Sequence, residues 1–360
     1  MNILQIVPNK GWGGGEKYVW ELSRSLSEAG HAVSVVIPPC DILAKKFAGM
    51  DTATLRFRGP YDLGAIRRLA RLVRANGIDV IHTHIFKHAS AALLARKLYG
   101  LNVRVVMTRH LCRPAKTGLH YPWLYSHVDR LIFVSEQAKK VFLSSAPKIP
   151  ADRITVIPNS VRLPDDTAGG TNVRESVGPD RFVIGFAGTI MPAKGVEFIL
   201  DLAENLRETA PEIVFAIAGN PPEGKEDYLV FLKNEALRRE LQNCVKFVGF
   251  VENTIAFFRQ TDAVIVPALV PESFGMVVVE AMLARKPVLF TDNIPAEVIT
   301  PEEGIRIDPQ DIPECCRSIV GLQHDPALRE SLAERGYRRW QERFSYDLFL
   351  TRMLDVYRNR

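Results

Sequence analysis

At 360 residues, 47% hydrophobic and 24% charged, the chain has the composition of an ordinary globular protein and the length for two cores rather than one. Its longest apolar runs, such as 33–37 and 276–279, fall far short of a bilayer span. It opens directly on a strand-like segment, and its five cysteines (Cys40, Cys112, Cys244, Cys315, Cys316) include no C-x-x-C pair, so an integral anchor, a secretion signal, a disulfide framework and a zinc site are not expected, and a reducing cytoplasm fits. The net charge of +5 hides an asymmetry: residues 1–163 hold 24 Lys plus Arg against 10 Asp plus Glu, net +14, and the remainder holds 22 against 31, net −9. Such a basic half is drawn to anionic surfaces, although solvated Arg-rich helix faces explain it equally well.

In chain order, apolar runs at 2–7, 32–37, 79–84, 103–108, 130–135 and 154–157 alternate with helix-period segments, the pattern of a doubly wound parallel sheet. A helix is expected over 17–29. Another is expected over 62–76, where Leu63, Ile66, Ala70 and Val73 form one stripe and Arg67, Arg68, Arg71 and Arg74 lie elsewhere around it. That stripe fits either a core face or a basic amphipathic helix resting on an anionic leaflet. Residues 159–170, rich in Pro, Asp and Gly, read as a linker. A second series of runs follows at 182–187, 213–218, 245–247, 263–267 and 287–291. The segment 345–357 is amphipathic, with Leu348, Phe349, Met353, Leu354 and Val356 on one face. Two Rossmann-like domains are expected, over 1–163 and 164–342, followed by a terminal helix over 343–360.

Several segments carry chemistry. Gly11-Trp12-Gly13-Gly14-Gly15-Glu16 opens the first helix, and its glycines let the backbone approach a phosphate or sugar. A dinucleotide fingerprint would need Gly where Glu16 stands and an acid after the second strand, so a nicotinamide site is not expected. Asp79-Val80-Ile81-His82-Thr83-His84 places His84 at the carboxyl edge of a strand, where open α/β sheets bind ligands, and alternation puts His82 on the same face. Thr108-Arg109-His110, with Arg113, Lys116 and His120 beyond, is either an anion-binding edge or a solvated loop. No third ligand joins the histidines at convincing spacing and no D-x-D motif occurs, so no metal site is expected. Finally, Glu272-Ser273-Phe274-Gly275-Met276 leads into a helix-forming run that contains Glu280. One carboxylate then sits at a helix start and one two turns deeper, with N–H groups near Phe274 and Gly275 between them. This suits a ligand with hydroxyls at both ends and phosphate in the middle, as in a nucleotide sugar.

The Glu272/Glu280 spacing resembles the E-x7-E signature of the family 4 retaining glycosyltransferases. The Gly13-Gly14-Gly15-Glu16 loop, the D-V-x-H-x-H segment and Gly188-Thr189-Ile190-Met191-Pro192-Ala193-Lys194-Gly195 resemble further segments of that family, as do Ala218-Gly219-Asn220 and Phe247-Val248-Gly249-Phe250-Val251. Arg is usual where Thr189 stands, so one phosphate cation is missing or supplied elsewhere. The resemblance implies the two-Rossmann GT-B fold, with two domains facing a cleft and the terminal helix crossing back to the first. It implies transfer of a sugar with retention from a nucleoside diphosphate, with uridine as the default base and guanosine open, to a glycan or lipid-linked acceptor in polysaccharide or lipopolysaccharide assembly. No cofactor and no divalent metal are implied, and the location would be cytoplasmic or peripheral on the membrane's inner face. His84, Glu272 and Lys194 take the catalytic roles: Glu272 and His84 at the sugar, Lys194 at the diphosphate. Gly14, Gly15, Thr189, Asn220, Val251, Phe274, Gly275, Met276 and Glu280 contact the donor, with Glu280 at the ribose and Val251 in the turn beside the base. Glu16, Arg109 and His110 are implied on the acceptor side. An isomerase of the nucleotide-sugar 2-epimerase type shares this architecture and would need no acceptor. A nucleic-acid partner is not expected, since no recognisable module accompanies the basic half.

Overall fold

The computed structural model describes residues 1–118, 120–163 and 172–358. The chain divides into one unit of Met1–Pro158 with Tyr346–Arg360 and a second of Asn159–Ser345. The crossing falls a few residues before the expected boundary because Ser160 is buried in the second unit, its hydroxyl donating to the Phe344 carbonyl at 2.6 Å. Most of the expected linker, from Pro164 on, lies outside the described residues.

The first unit is a parallel sheet of β1 (Asn2–Ile6), β2 (Ala32–Ile37), β3 (Asp51–Thr54), β4 (Val80–Thr83), β5 (Arg104–Arg109), β6 (Arg130–Phe133) and β7 (Ile154–Val156), in the order β3-β2-β1-β4-β5-β6-β7. The order reverses between β1 and β4. Central strands such as β4 are buried on both faces, and in β4 the apolar pair Val80-Ile81 is followed by the buried polar His82 and Thr83. The edge strand β3 reads Asp-Thr-Ala-Thr and is mostly exposed; it escapes the sequence reading because an edge strand needs no apolar run.

The helix Leu63–Ala75 is started by Asp62, whose carboxylate accepts from the Ala65 N–H at 3.0 Å. Ile66, Leu69, Ala70 and Val73 enter the core, and Arg67, Arg68, Arg71 and Arg74 face solvent. Leu63 departs from the expected stripe: it is 68% exposed, since the first helical position precedes the turn that meets the sheet. The C-terminal helix Tyr346–Arg358 closes on this first unit. Its Phe349, Met353 and Tyr357, spaced one turn apart, pack with Ile3, Leu22, Leu26, Val80, Val106 and Ile132.

The second unit is a parallel sheet of β8 (Phe182–Ala187), β9 (Ile213–Ala218), β10 (Val245–Gly249), β11 (Ala263–Val266), β12 (Val288–Phe290) and β13 (Gly304–Arg306), in the order β10-β9-β8-β11-β12-β13. Here the order reverses between β8 and β11. β13, a three-residue edge strand, is the other strand not expected from sequence. Each unit thus has one switch point, where loops diverge at the carboxyl edge and open a crevice.

Candidate active site

In the second unit, Lys194 and Glu272 leave adjacent strands at the switch point, following β8 and β11, and meet: the Lys194 ammonium donates to a Glu272 carboxylate oxygen, both side chains being partly exposed. Their loops are laced together. The Leu269 N–H donates to the Ala193 carbonyl at 2.9 Å, and the Glu272 N–H donates to the Asn293 carbonyl at 2.8 Å. Thr291 Oγ1 and Asn293 Nδ2 both donate to the Ala268 carbonyl, at 2.7 and 2.9 Å. Gly195 has φ +74°, and a Cβ there would stand 2.1 Å from the Pro267 carbonyl oxygen, so only glycine lets the loop carrying Lys194 approach the other.

Glu272 precedes the helix Met276–Leu283, whose N-cap Gly275 is left-handed and has no side-chain cap. The Val278 N–H donates back to the Gly275 carbonyl at 3.0 Å, and the N–H groups of Met276 and Val277 point out of the helix start, where an anion can meet them. Phe274 is buried against Phe344, ring centroids 5.6 Å apart, and anchors the turn. Glu280 lies in the second turn and is buried. Thr189, Asn220 and Val251 follow β8, β9 and β10, and those loops are joined by Ile190 N–H to the Asn220 carbonyl (3.0 Å) and Gly219 N–H to the Gly249 carbonyl (2.8 Å). Gly219 has φ +140°, and a Cβ there would lie 1.8 Å from the Gly188 carbonyl oxygen. Thr189 and Asn220 are exposed, Val251 is not, and its neighbour Phe250 presents its ring to solvent. Phe250 stands in the 249–251 turn that the family resemblance places beside the base.

In the first unit, Gly14 and Gly15 are the first two residues of the helix Gly14–Glu28, which begins three residues earlier than expected and also lacks a side-chain cap. Glu16 is buried and accepts from both the backbone N–H and Nδ2 of Asn9, at 3.1 and 3.0 Å. Its side chain braces the loop after β1.

Across the switch point, at the carboxyl-end residues of β1, β4 and β5, lies a buried polar chain. Gln5 Nε2 donates to the Tyr357 hydroxyl (3.2 Å), which donates to His82 Nδ1 (2.7 Å), leaving His82 Nε2 to donate to Thr108 Oγ1 (2.8 Å). His84 Nε2 donates to Gln5 Oε1 (3.3 Å), and its Nδ1 accepts from His110 Nε2 (3.2 Å). Tyr18 packs edge-on against both His84 and His110. Burial holds these imidazoles neutral: His82 is pushed down to about 3, His110 to about 4, and His84 well below its ordinary value, with the neighbouring imidazoles adding to the shift for His84 and His82. His82 is fully buried, and 4% of His84 remains exposed. Both ring nitrogens of His84 have protein partners, and a sugar hydroxyl meeting its ring would replace one of them.

Arg109 turns inward. Its guanidinium lies 5.0 Å from the Phe86 ring centroid and 4.9 Å from that of Phe142, and one terminal nitrogen donates to the Arg113 carbonyl at 3.0 Å. It shapes the following loop, and the aromatic sleeve that captures it was not visible in the local sequence. Among the described residues, no three His, Cys, Asp or Glu side chains gather to hold a metal ion, and no helix is long and apolar enough to cross a membrane.

Two family models match the chain: Glycosyltransferase Family 4 over residues 12–163 and Glycosyl transferases group 1 over residues 172–339. Among its relatives, a D-inositol 3-phosphate glycosyltransferase of Salinispora arenicola is 25% identical over 96% of this chain and 87% of its own. A protein of that same name from Xylanimonas cellulosilytica is 28% identical over 96% of this chain and 91% of its own. Among solved structures, Anabaena HepE in complex with UDP and glucose superposes with a TM-score of 0.83 at 19% identity, covering 99% of each chain. With its halves matched in order by those two models and its two doubly wound sheets built as in these neighbours, the chain belongs to the family 4 glycosyltransferases of the GT-B fold.

Proposed function

We propose that this glycosyltransferase takes its sugar from a nucleoside diphosphate, uridine diphosphate foremost, and passes it with retention to a hydroxyl of a glycan or lipid-linked glycan in the assembly of a cell-surface polysaccharide or lipopolysaccharide. The observation that carries this reading is the Lys194–Glu272 contact at the second unit's switch point, beside an uncapped helix that bears Glu280. The diphosphate lies against Lys194 and the N–H groups at Gly275 and Met276; Glu272 receives the sugar's hydroxyls and Glu280 those of the ribose. The base borders Val251, with the Phe250 ring at hand. As the bond from the anomeric carbon to the phosphate oxygen breaks, charge gathers on the diphosphate, and Lys194 with the helix start offsets it without a divalent cation or cofactor. The acceptor oxygen bonds to the same face of the anomeric carbon and its proton passes to the leaving phosphate, so side chains chiefly orient the partners. On the first unit, Gly14 and Gly15 offer amides to the donor, and His84 positions the sugar. Glu16 and Arg109 shape the acceptor loops, and His110 is the partly exposed residue of that group.

Thermal stabilisation by uridine, guanosine and adenosine diphosphates, with and without magnesium, tests the donor site. A ligand at about 100 times its dissociation constant adds about 2.7 kcal/mol to folding stability. A shift with one base, indifferent to magnesium and lost in Glu280→Ala, is expected. No shift with any nucleotide, together with no donor hydrolysis, would sink the reading, and conversion of the donor alone to an epimer would replace it with an isomerase.

The exposed Arg67, Arg68, Arg71 and Arg74, with Tyr61 and Leu63 exposed at the start of their helix, support peripheral attachment to the inner face of the cytoplasmic membrane. The chain is expected to sediment with anionic vesicles more than with neutral ones at low salt; equal sedimentation would count against attachment.

A further inference from the structure

The helix Glu226–Arg238 of the second unit turns one face inward and leaves the other open. Leu232 and Ala236 enter the core of that unit, with Leu229 packed against it. At about 100° per residue, the opposite face carries Asp227, Val230, Phe231, Asn234, Leu237 and Arg238, and all six are exposed. Three of them are large and apolar: Val230 is 55% exposed, Phe231 45% and Leu237 61%. A recess beside the helix extends this apolar surface, with Leu237 on one side and Val245, Phe247 and Val248 of the edge strand β10 on the other. The Phe231 ring is held in place: it stacks on Tyr228 with centroids 6.1 Å apart, and the Tyr228 hydroxyl donates to the Glu197 carboxylate at 2.9 Å. A contiguous apolar patch of this kind, rimmed by charge, marks an interaction surface.

The charges at its two ends indicate what covers this face. The segment opens Lys225-Glu226-Asp227 and closes Arg238-Arg239-Glu240, so read backwards its end charges are reversed in sign, position by position. A second copy laid antiparallel, with a two-fold axis passing between Leu232 and Lys233, sets Lys225 level with Glu240, Glu226 with Arg239 and Asp227 with Arg238, each pair occurring twice. On the open face the pair is Asp227 with Arg238. Among the described residues Asp227 is in no ion pair, and Arg238, bound to Glu235 of its own helix, is exposed enough to take a second carboxylate. The same register brings like flanks together. Val230 and Leu237 share one flank, so Val230 of one copy meets Leu237 of the other, offset by about 3 Å along the axis. Asp227, Phe231 and Arg238 share the other flank, where the two Phe231 rings meet about 4.5 Å apart along the axis. Lys233, about a quarter of a turn off the centre of the face, stays at the rim.

We propose that the chain forms a two-fold dimer through this helix, the open faces of two copies packing antiparallel. The inference goes beyond the transferase reading and does not depend on it. A copy of the helix answers the charges at both ends at once, whereas a surface of one sign would answer one end and repel the other. Val230, Phe231 and Leu237 supply the buried apolar area, and the end charges fix orientation and register. A helix face of about four turns is small for an interface, which puts the affinity in the micromolar range.

Sedimentation velocity on the full chain, from about 1 to about 300 µM, tests this for the wild type, Phe231→Ala, Asp227→Arg, Arg238→Asp and the double variant Asp227→Arg/Arg238→Asp. The wild type is expected to pass from monomer to dimer across that range. Each single charge change sets like charges level at both ends of the interface and should weaken the dimer about tenfold or more, as should Phe231→Ala. The double variant restores opposite signs and should recover the dimer. Mixing Asp227→Arg with Arg238→Asp should give a mixed dimer although neither pairs well with itself. Recovery in the double variant and in the mixture separates a lost contact from a lost fold, and an unchanged thermal midpoint in each variant checks the fold directly. Monomer at every concentration overturns the proposal and leaves the face to a partner of another kind. A dimer that the charge changes leave intact overturns it as well, by placing the interface on another surface, and so does loss in the single variants with no recovery in either the double variant or the mixture.

Discussion

Replacing Lys194 by Ala is expected to lower turnover by about two to three orders of magnitude, the loss seen when one preorganised donor to a developing oxyanion is removed, or about 2.7–4 kcal/mol of transition-state stabilisation. The reason lies in the shape of the second unit. Lys194 sits on a loop held rigid by Gly195 and by the Leu269–Ala193 hydrogen bond, so its ammonium needs little reorganisation as the diphosphate departs. Thr189, where this family usually has Arg, supplies no charge, and more of the burden falls on Lys194. Glu272→Gln keeps the shape and removes the charge; it should cost a similar factor, because Glu272 fixes the lysine and, in the proposed site, meets the sugar. Since the two side chains touch, the double variant should lose much less than the product of the single losses. Steady-state rates on the donor selected by the nucleotide shifts provide the measurement. Wild-type turnover in either single variant would remove that residue from the site.

Acidification is expected to unfold the first unit well before the second. His82, His84, His88 and His110 are all in the first unit, and burial depresses each: His82 and His88 to about 3, His110 to about 4, and His84 well below its ordinary value. In the unfolded chain they bind a proton near pH 6.5. Below that value the unfolded state holds more protons than the folded one, so stability is full at neutral pH and falls as pH drops, levelling only where the folded imidazoles themselves protonate. Each contributes at most about 1.4 kcal/mol per pH unit, so four acting together approach roughly 5 kcal/mol per unit. Against a typical total of about 5–15 kcal/mol, unfolding is reached near pH 5. Urea titrations from pH 7.5 to 4.5 followed by tryptophan fluorescence provide the check, since Trp12, Trp20 and Trp123 belong to the first unit and Trp340 to the second. A midpoint that stays constant from pH 7 to 5 would show that these imidazoles protonate without unfolding.

How far such a molecule can be read from its sequence depends on where the determining contacts lie. β8 and β9 are buried on both faces and appear as apolar runs with the expected bounds. β3 and β13, at the sheet edges, have no such pattern because one neighbour's hydrogen bonds suffice to hold them. His84 was placed correctly at a strand's carboxyl end because strand and loop are local properties. The enclosure of its ring was not legible, since it depends on Gln5, His110 and the ring of Tyr18 on separate elements. Arg109 shows the same limit: its position after β5 was clear, but its direction is set by Phe86 and Phe142, which converge only in the fold. The terminal helix was expected to pack on the first unit, but the hydroxyl of Tyr357 in the histidine chain could not be foreseen from an amphipathic pattern.

That helix also sets an order of events during synthesis. A ribosome delivers Met1–Pro158 first and the whole of Asn159–Ser345 next, yet Tyr357 must reach back 352 residues to Gln5. Until it emerges, the flank formed by Ile3, Leu22, Leu26 and Val106 remains uncovered and Gln5 and His82 lack their shared hydroxyl. The nascent first unit therefore waits, incomplete and sticky, while the second is made, and a chain stalled before Tyr346 is one for chaperones and proteases to intercept.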